Sequence, residues 1–190
     1  MNIDQFSYLK NTISKNNISE EIYNNSKLSS VGVLFRSNNN QHEIMLIKRS
    51  KRLRTHPGEW AFPGGKIENN DNNLRDTFFR EIKEEVGIDK KNINLIGRIK
   101  SFVTTTGYIV VPYVGILNDG YKIDINHEEV DKYFFLDFSL FYHKENHRTI
   151  TFLNSYNEEK LITHNSYAIK GKYIWGATAK IIRYISNIEK

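Results

Sequence analysis

Three glutamates, Glu81, Glu84 and Glu85, stand between a Pro63-Gly64-Gly65 break and a terminating Gly87, and no other segment constrains the chain as strongly. At positions i, i+3 and i+4 of a helix their carboxylates project to one side. Like charges at that spacing cost an isolated helix roughly a few tenths of a kcal/mol per pair. Two readings account for them. Either they form a solvated face paired with Arg80 or Lys83, or they gather around a divalent cation of the Mg2+ or Mn2+ type, which prefers carboxylate oxygens. The order of strand, Pro-Gly-Gly turn, loop and helix favours the cation. Phe78, Phe79, Ile82 and Val86 supply an apolar opposite face, and Gly87 suits a C-terminal cap just after the last carboxylate.

A chain of 190 residues with 39% hydrophobic and 13% aromatic residues can bury one sizeable core. Residues 1 to 29 read as a polar, partly helical lead-in and 30 to 190 as a single domain. Strands are expected over Val31–Phe35, Ile44–Ile47, Glu59–Phe62, Ile93–Ile99, Ile109–Leu117 and Tyr133–Phe138. A helix is expected over Leu74–Val86. Another over Ala177–Ile188 would carry Ile181, Ile182, Ile185 and Ile188 on one face. Short strands with two helices point to a mixed α/β sandwich. The Asn-rich run 69 to 73 reads as composition, and Trp175 as packing.

Composition removes several chemistries. Without cysteine there is no disulfide, thiolate metal site or cysteine nucleophile, so catalysis falls to carboxylates, histidines, hydroxyls or an oxygen-held metal. The net charge of +5 fits either a lysine-rich composition or a basic pocket for a phosphate-rich ligand. No basic stripe or recognised module supports nucleic-acid binding. No stretch approaches the roughly 18–20 apolar residues of a membrane span. The opening MNIDQFSYLK lacks the apolar core of a secretory signal, so a cytoplasmic protein is expected.

Arg80-Glu81-Ile82-Lys83-Glu84-Glu85-Val86-Gly87-Ile88 resembles the second half of the Nudix box. The first half departs: one extra residue separates Gly65 from Arg80, and an aspartate, Asp71, stands near the expected glutamate. The preceding segment resolves the departure. Met45-Leu46-Ile47-Lys48-Arg49-Ser50, then Arg54, Gly58 and Phe62-Pro63-Gly64-Gly65, resembles the signature of the coenzyme A pyrophosphatase branch of the Nudix hydrolases, whose members share the longer loop and its aspartate. The resemblance continues through Thr106-Gly107-Tyr108, Pro112-Tyr113-Val114-Gly115, Glu129-Val130 and Trp175-Gly176-Ala177-Thr178-Ala179.

That resemblance implies a Nudix α/β/α sandwich with a mixed sheet and a loop-helix-loop catalytic motif. It implies Mg2+ or Mn2+ on Glu81 and Glu85, with Glu84 sharing a metal or activating water, and Arg80 orienting a glutamate through a bidentate pair. Glu129 becomes a candidate further ligand or base. Arg49, Arg54 and His56 become candidates for substrate phosphate, and Gly64 and Gly65 for close backbone approach to it. The implied reaction is hydrolysis of coenzyme A or its thioesters to 3′,5′-ADP and 4′-phosphopantetheine. Another nucleoside diphosphate derivative, or a silent nucleotide-binding module, are the alternatives. The expected partner is a small diphosphate substrate, with neither nucleic acid nor membrane.

Overall fold

The computed structural model describes residues 13, 27–39, 41–154 and 157–188, with only the backbone for 152–154, 157–160, 162 and 188. Most of the lead-in over 1 to 29 lies outside the described residues. Within it, Ile13 is helical and buried in the core.

Eleven strands among the described residues form two sheets. The larger is mixed, with β1 (Lys27–Asn38) at its centre. On one side β1 pairs antiparallel with β2 (Gln41–Arg49) and β4 (Gly64–Lys66). On the other it runs parallel to β7 (Tyr108–Leu117), with Val33 opposite Val114. The outer members are β3 (Trp60–Ala61) and β8 (Val130–Asp137) beside β2, and β5 (Ile93–Arg98) and β6 (Phe102–Val103) beside β7. Val33, Leu34 and Phe35 are all fully buried, as a central strand covered on both faces requires.

Helix α1 (Leu74–Val86) covers one face, placing Phe78, Ile82 and Val86 against Leu34, Met45 and Ile47. It comes close because Gly32 has no side chain: a Cβ there would stand 2.7 Å from Ile82 Cδ1. Its ends are set by sequence. The Asn73 side chain accepts from the backbone N–H groups of Arg75 and Asp76, both at 3.0 Å, so the Asn-rich run holds a cap as well as composition. Gly87, at φ 72°, donates its N–H to the Lys83 carbonyl. A cap of this kind contributes about 1 kcal/mol.

The opposite face is covered by α2 (Gly176–Ile188), which buries Ile181, Ile182 and Ile185 as expected. Beside it lies a second sheet: β9 (His147–Asn154), β10 (Asn157–Ile169) and β11 (Lys172–Ile174). This sheet was not anticipated. In β10 the buried positions include His164 and Ser166, so the apolar alternation that announces a strand is missing. The Pro-Gly-Gly break also behaves differently from the expected turn. Pro63 ends β3's run, but Gly64 and Gly65 begin β4 and pair with Val31 and Ser30.

Candidate functional site

The three glutamates divide. Glu81 and Glu85 are buried, at 8% and 1% exposure, whereas the Glu84 side chain is 52% exposed. Both buried carboxylates reach β4 directly. Gly64 N–H donates to Glu85 Oε2 at 2.8 Å, and a Cβ on Gly65 would collide with the Glu81 carboxylate. Gly64 sits at φ 149°, where a Cβ would also run into the Val31 backbone at 2.6 Å. Gly65 therefore makes room for a carboxylate and Gly64 for the β1 backbone, and the Gly64 N–H expected to approach phosphate is already engaged.

Arg80 is the hub of the helix's polar side. Its expected bidentate pair with a glutamate falls instead on Asp71: Nε to Oδ1 at 3.0 Å and Nη2 to Oδ2 at 2.9 Å. Single bonds run from Nη1 to Glu81 Oε1 at 3.0 Å and to Glu84 Oε2 at 2.8 Å. Nη2 also donates to the Lys66 carbonyl at 2.9 Å, tying the helix to β4. Asp71 further accepts from the Thr77 hydroxyl and the Glu68 N–H. The Arg80 bonds above all hold its carboxyl down at about 2.

Glu81 and Glu85 behave oppositely. Burial pushes Glu81 up to about 7, with Arg80 pulling it down and Glu84 and Glu129 pushing it further up. Burial likewise pushes Glu85 up to about 8; the Gly64 N–H and Arg49 only partly offset this, and Glu81 and Glu129 add to it. Glu129 is half-buried at the start of β8, and its carbonyl accepts from Ser50 N–H at 2.8 Å. Among the described residues no three histidine, aspartate or glutamate side chains are arranged to hold a metal together; Glu81 and Glu85 are the buried pair, and Glu84 stands exposed beside them. A pair fits the group the sequence implies. Mg2+ is commonly held through one or two carboxylates, with waters and substrate phosphates completing its shell. Two adjacent buried carboxylates, each destabilised as an anion, are a donor set that such a cation stabilises.

A cleft of about 370 Å3 opens beside this platform. Gly64, Gly65 and Arg49 belong to both: they line the cleft and they touch the carboxylates. Arg49 Nη1 lies 3.8 Å from Glu85 Oε1, and its buried Nε has no hydrogen-bond partner among the described residues. His56 lines the cleft at φ 55° and pairs with Glu59 at 3.1 Å, which raises its pKa above the ordinary histidine value. Arg54, expected to face the cleft, is exposed on the preceding loop and does not line it. Trp175, expected to pack, is half-buried and lines the cleft. Lys66, Thr104–Thr106 and Tyr108 complete the wall. Lys66 carries no motif signal of its own, since it merely follows the glycine pair, whereas Tyr108 closes the Thr106-Gly107-Tyr108 segment of the resemblance.

Comparison with known proteins gives consistent results. A NUDIX domain is matched across residues 27–160. The chain is 32% identical over 152 residues to the uncharacterized Nudix hydrolase NudL of Yersinia enterocolitica, covering 76% of this chain and 72% of that one. Among solved structures, a MutT/nudix family protein from Enterococcus faecalis aligns with a TM-score of 0.57 at 17% identity, covering 100% of this chain and 70% of the other. An Ap4A hydrolase from C. elegans aligns with a TM-score of 0.51 at 19% identity, covering 60% and 81%. At such identities the structural likenesses establish the fold alone. No helix among the described residues is long and apolar enough to cross a membrane.

Proposed function

From the premise that this chain belongs to the Nudix hydrolase family and acts on a diphosphate bond, we propose that its substrate is coenzyme A or a coenzyme A thioester. The products are 3′,5′-ADP and a 4′-phosphopantetheine. The observation that carries this reading is Arg49. It belongs to the segment that resembles the coenzyme A pyrophosphatase signature, lines the cleft, and keeps a buried Nε with no hydrogen-bond partner among the described residues, beside Glu85. A guanidinium with an open donor suits a phosphate oxygen.

Glu81 and Glu85 would hold Mg2+ or Mn2+, which would neutralise charge on the diphosphate and lower the pKa of water. Arg80 fixes Glu81 from one side, and Asp71 fixes Arg80. Gly64 N–H orients Glu85. Arg49 draws the diphosphate toward the carboxylates. A water attacks one phosphorus, its oxygen forms the new P–O bond, and the bond to the bridging oxygen breaks. Glu129, whose charge reaches both buried carboxylates, accepts the proton that the water loses. Glu84, drawn to Arg80 and exposed to solvent, is a positioning residue.

The test is incubation of purified protein with coenzyme A and Mg2+ or Mn2+, beside Glu85→Gln, with products identified by mass spectrometry. Metal-dependent 3′,5′-ADP, absent with the variant, is the expected result. Cleavage of a different nucleoside diphosphate derivative with coenzyme A left intact overturns the substrate. Silence toward every diphosphate overturns Glu81 and Glu85 as working ligands.

A further inference from the structure

Four lysines gather on the face of the larger sheet that α2 covers, away from the carboxylate platform. Lys48 on β2 stands directly opposite Lys132 on β8 and opposite Trp60 on β3, so Lys132, Lys48 and Trp60 form one row across three strands. Ile44 and Leu46, on the same side of β2 as Lys48, pack in the cluster of α2, whereas Met45 and Ile47 pack under α1. Arg49 follows that second parity and reaches Glu85. The lysine row and the proposed grip on the diphosphate therefore lie on opposite faces of β2.

The hairpin of β10 and β11 brings the other two. Its turn is Lys170-Gly171, with Lys170 at φ 47°, a conformation that glycine or asparagine adopts more readily than lysine. Lys172 is buried, at 8% exposure, with Nζ 3.5 Å from the Phe134 ring centroid and 5.5 Å from that of Trp60. Lys48 Nζ lies 5.8 Å from the same Trp60 ring. None of the four lysines makes an ion pair among the described residues. Lys172 Nζ donates to the Lys170 carbonyl at 3.3 Å, and burial, with the charges of Lys170 and Lys132, holds its pKa below the ordinary lysine value. Like charges directly opposite across two strands destabilise a sheet, and a buried ammonium without a counter-ion costs more. The two rings offset part of that cost. An anion offsets the rest.

We propose that Lys48, Lys132, Lys170 and Lys172 form a second anion site, distinct from the cleft, for an inorganic multivalent phosphate ion of the tripolyphosphate type. The charge is focused at one place. Along β8 the same face continues as Phe134 and Leu136, and along β2 as Leu46 and Ile44, so no further cation follows the row. A nucleic-acid strand needs cations at successive phosphates, whereas one compact polyanion needs a single focus. Trp60 belongs to both places: its ring is flanked by Lys48 and Lys172, and it lines the cleft. An ion on the lysines thus alters the surroundings of a cleft residue and acts as an effector. This holds whichever diphosphate the cleft cleaves.

The test is a calorimetric titration of the metal-free protein with tripolyphosphate, in the wild type, Lys132→Met, Lys48→Met, Arg49→Met and Lys91→Met. Lys91 is an exposed lysine that does not line the cleft, and its variant removes the same charge from the whole molecule. Lys132→Met and Lys48→Met are each expected to weaken binding about 10-fold or more, as the loss of a charge-assisted contact does. Arg49→Met and Lys91→Met are expected to bind as the wild type does. Without the ion, Lys132→Met should keep or exceed the wild-type urea midpoint, because it removes a like charge; the ion should raise the midpoint of the wild type and not of the variant. The chain has two tryptophans, so Trp175→Phe leaves Trp60 as the sole indole, and its fluorescence should change on titration. No binding to the wild type overturns the site. A loss confined to Arg49→Met, which puts the ion in the cleft, overturns it, as does an equal loss in Lys91→Met. A silent Trp60 overturns the link to the cleft. A single-stranded oligonucleotide that binds more tightly than tripolyphosphate, and is lost with Lys132→Met, overturns the inorganic ion as the occupant.

Discussion

Asp71 and Glu85 are carboxylates whose side chains are 4% and 2% exposed, yet one is held at about 2 and the other pushed to about 8. Glu85 lies deeper in the protein, and the two differ as well in who supplies the positive charge. Asp71 has Arg80 in a two-point grip, plus the Thr77 hydroxyl and a backbone N–H. Glu85 has one backbone N–H and a guanidinium nitrogen 3.8 Å away. A buried carboxylate whose counter-charge is built into the chain serves the fold. One that lacks it has the character that the metal role proposed for Glu85 requires.

The sharpest way to break this comparison is Glu85→Gln. Turnover should fall by more than about 100-fold, since even an outer partner of a metal ligand is worth roughly 10- to 100-fold. The metal-free variant should nonetheless keep or exceed the wild-type denaturation midpoint, because a neutral amide still accepts from Gly64 and no longer needs hydration. A large loss of stability would show that Glu85 is structural after all. Next in size is the response to metal. At about 100 times its dissociation constant, Mn2+ should stabilise the wild type by about 2.7 kcal/mol in urea titrations, and Glu85→Gln by much less at the same concentration. Equal stabilisation would place the ion elsewhere.

Asp71→Asn addresses the other member of the pair and should cost about 1–2 kcal/mol near neutral pH. The sign follows from the depressed pKa. The ionised Asp71 contributes stability above about 3.8, and that contribution is lost as pH falls toward about 2. Urea midpoints of the wild type and the variant should therefore converge in acid; a gap that persists there refutes the ion-pair account. The smallest effect belongs to Ser30→Ala. The Ser30 hydroxyl is fully buried with no hydrogen-bond partner among the described residues, so its removal should change stability by less than about 1 kcal/mol. A larger loss would reveal a partner such as a held water.

The contrast also explains what could be read from sequence. Helix α1 was legible to its last residue, because Ile82 and Val86 keep the 3.6-residue period and Gly87 stops it. The carboxylates were legible as a group of three. Their division into a buried pair and an exposed third depends on the approach of β4, which depends in turn on Gly65 lacking a side chain. Asp71 was visible as a substitution, but its grip on Arg80 requires the loop to fold back across the helix, and no periodicity records that. The sheet from β9 to β11 escaped because its buried face carries polar residues such as His164 and Ser166.

The parallel alignment of β1 with β7 has a consequence for how the molecule is made. Ser29 Oγ donates to the Ile109 carbonyl across 80 residues of chain. During synthesis at 5–20 residues per second, roughly 4 to 16 s separate the emergence of those two strands. Late in that interval, once residue 86 has been made, β4 and α1 can form and dock on β1, while one edge of β1 stays open. Closing a loop of this length is a late, entropically costly step. The acid platform is thus older, in the life of each molecule, than the wall that completes its cleft.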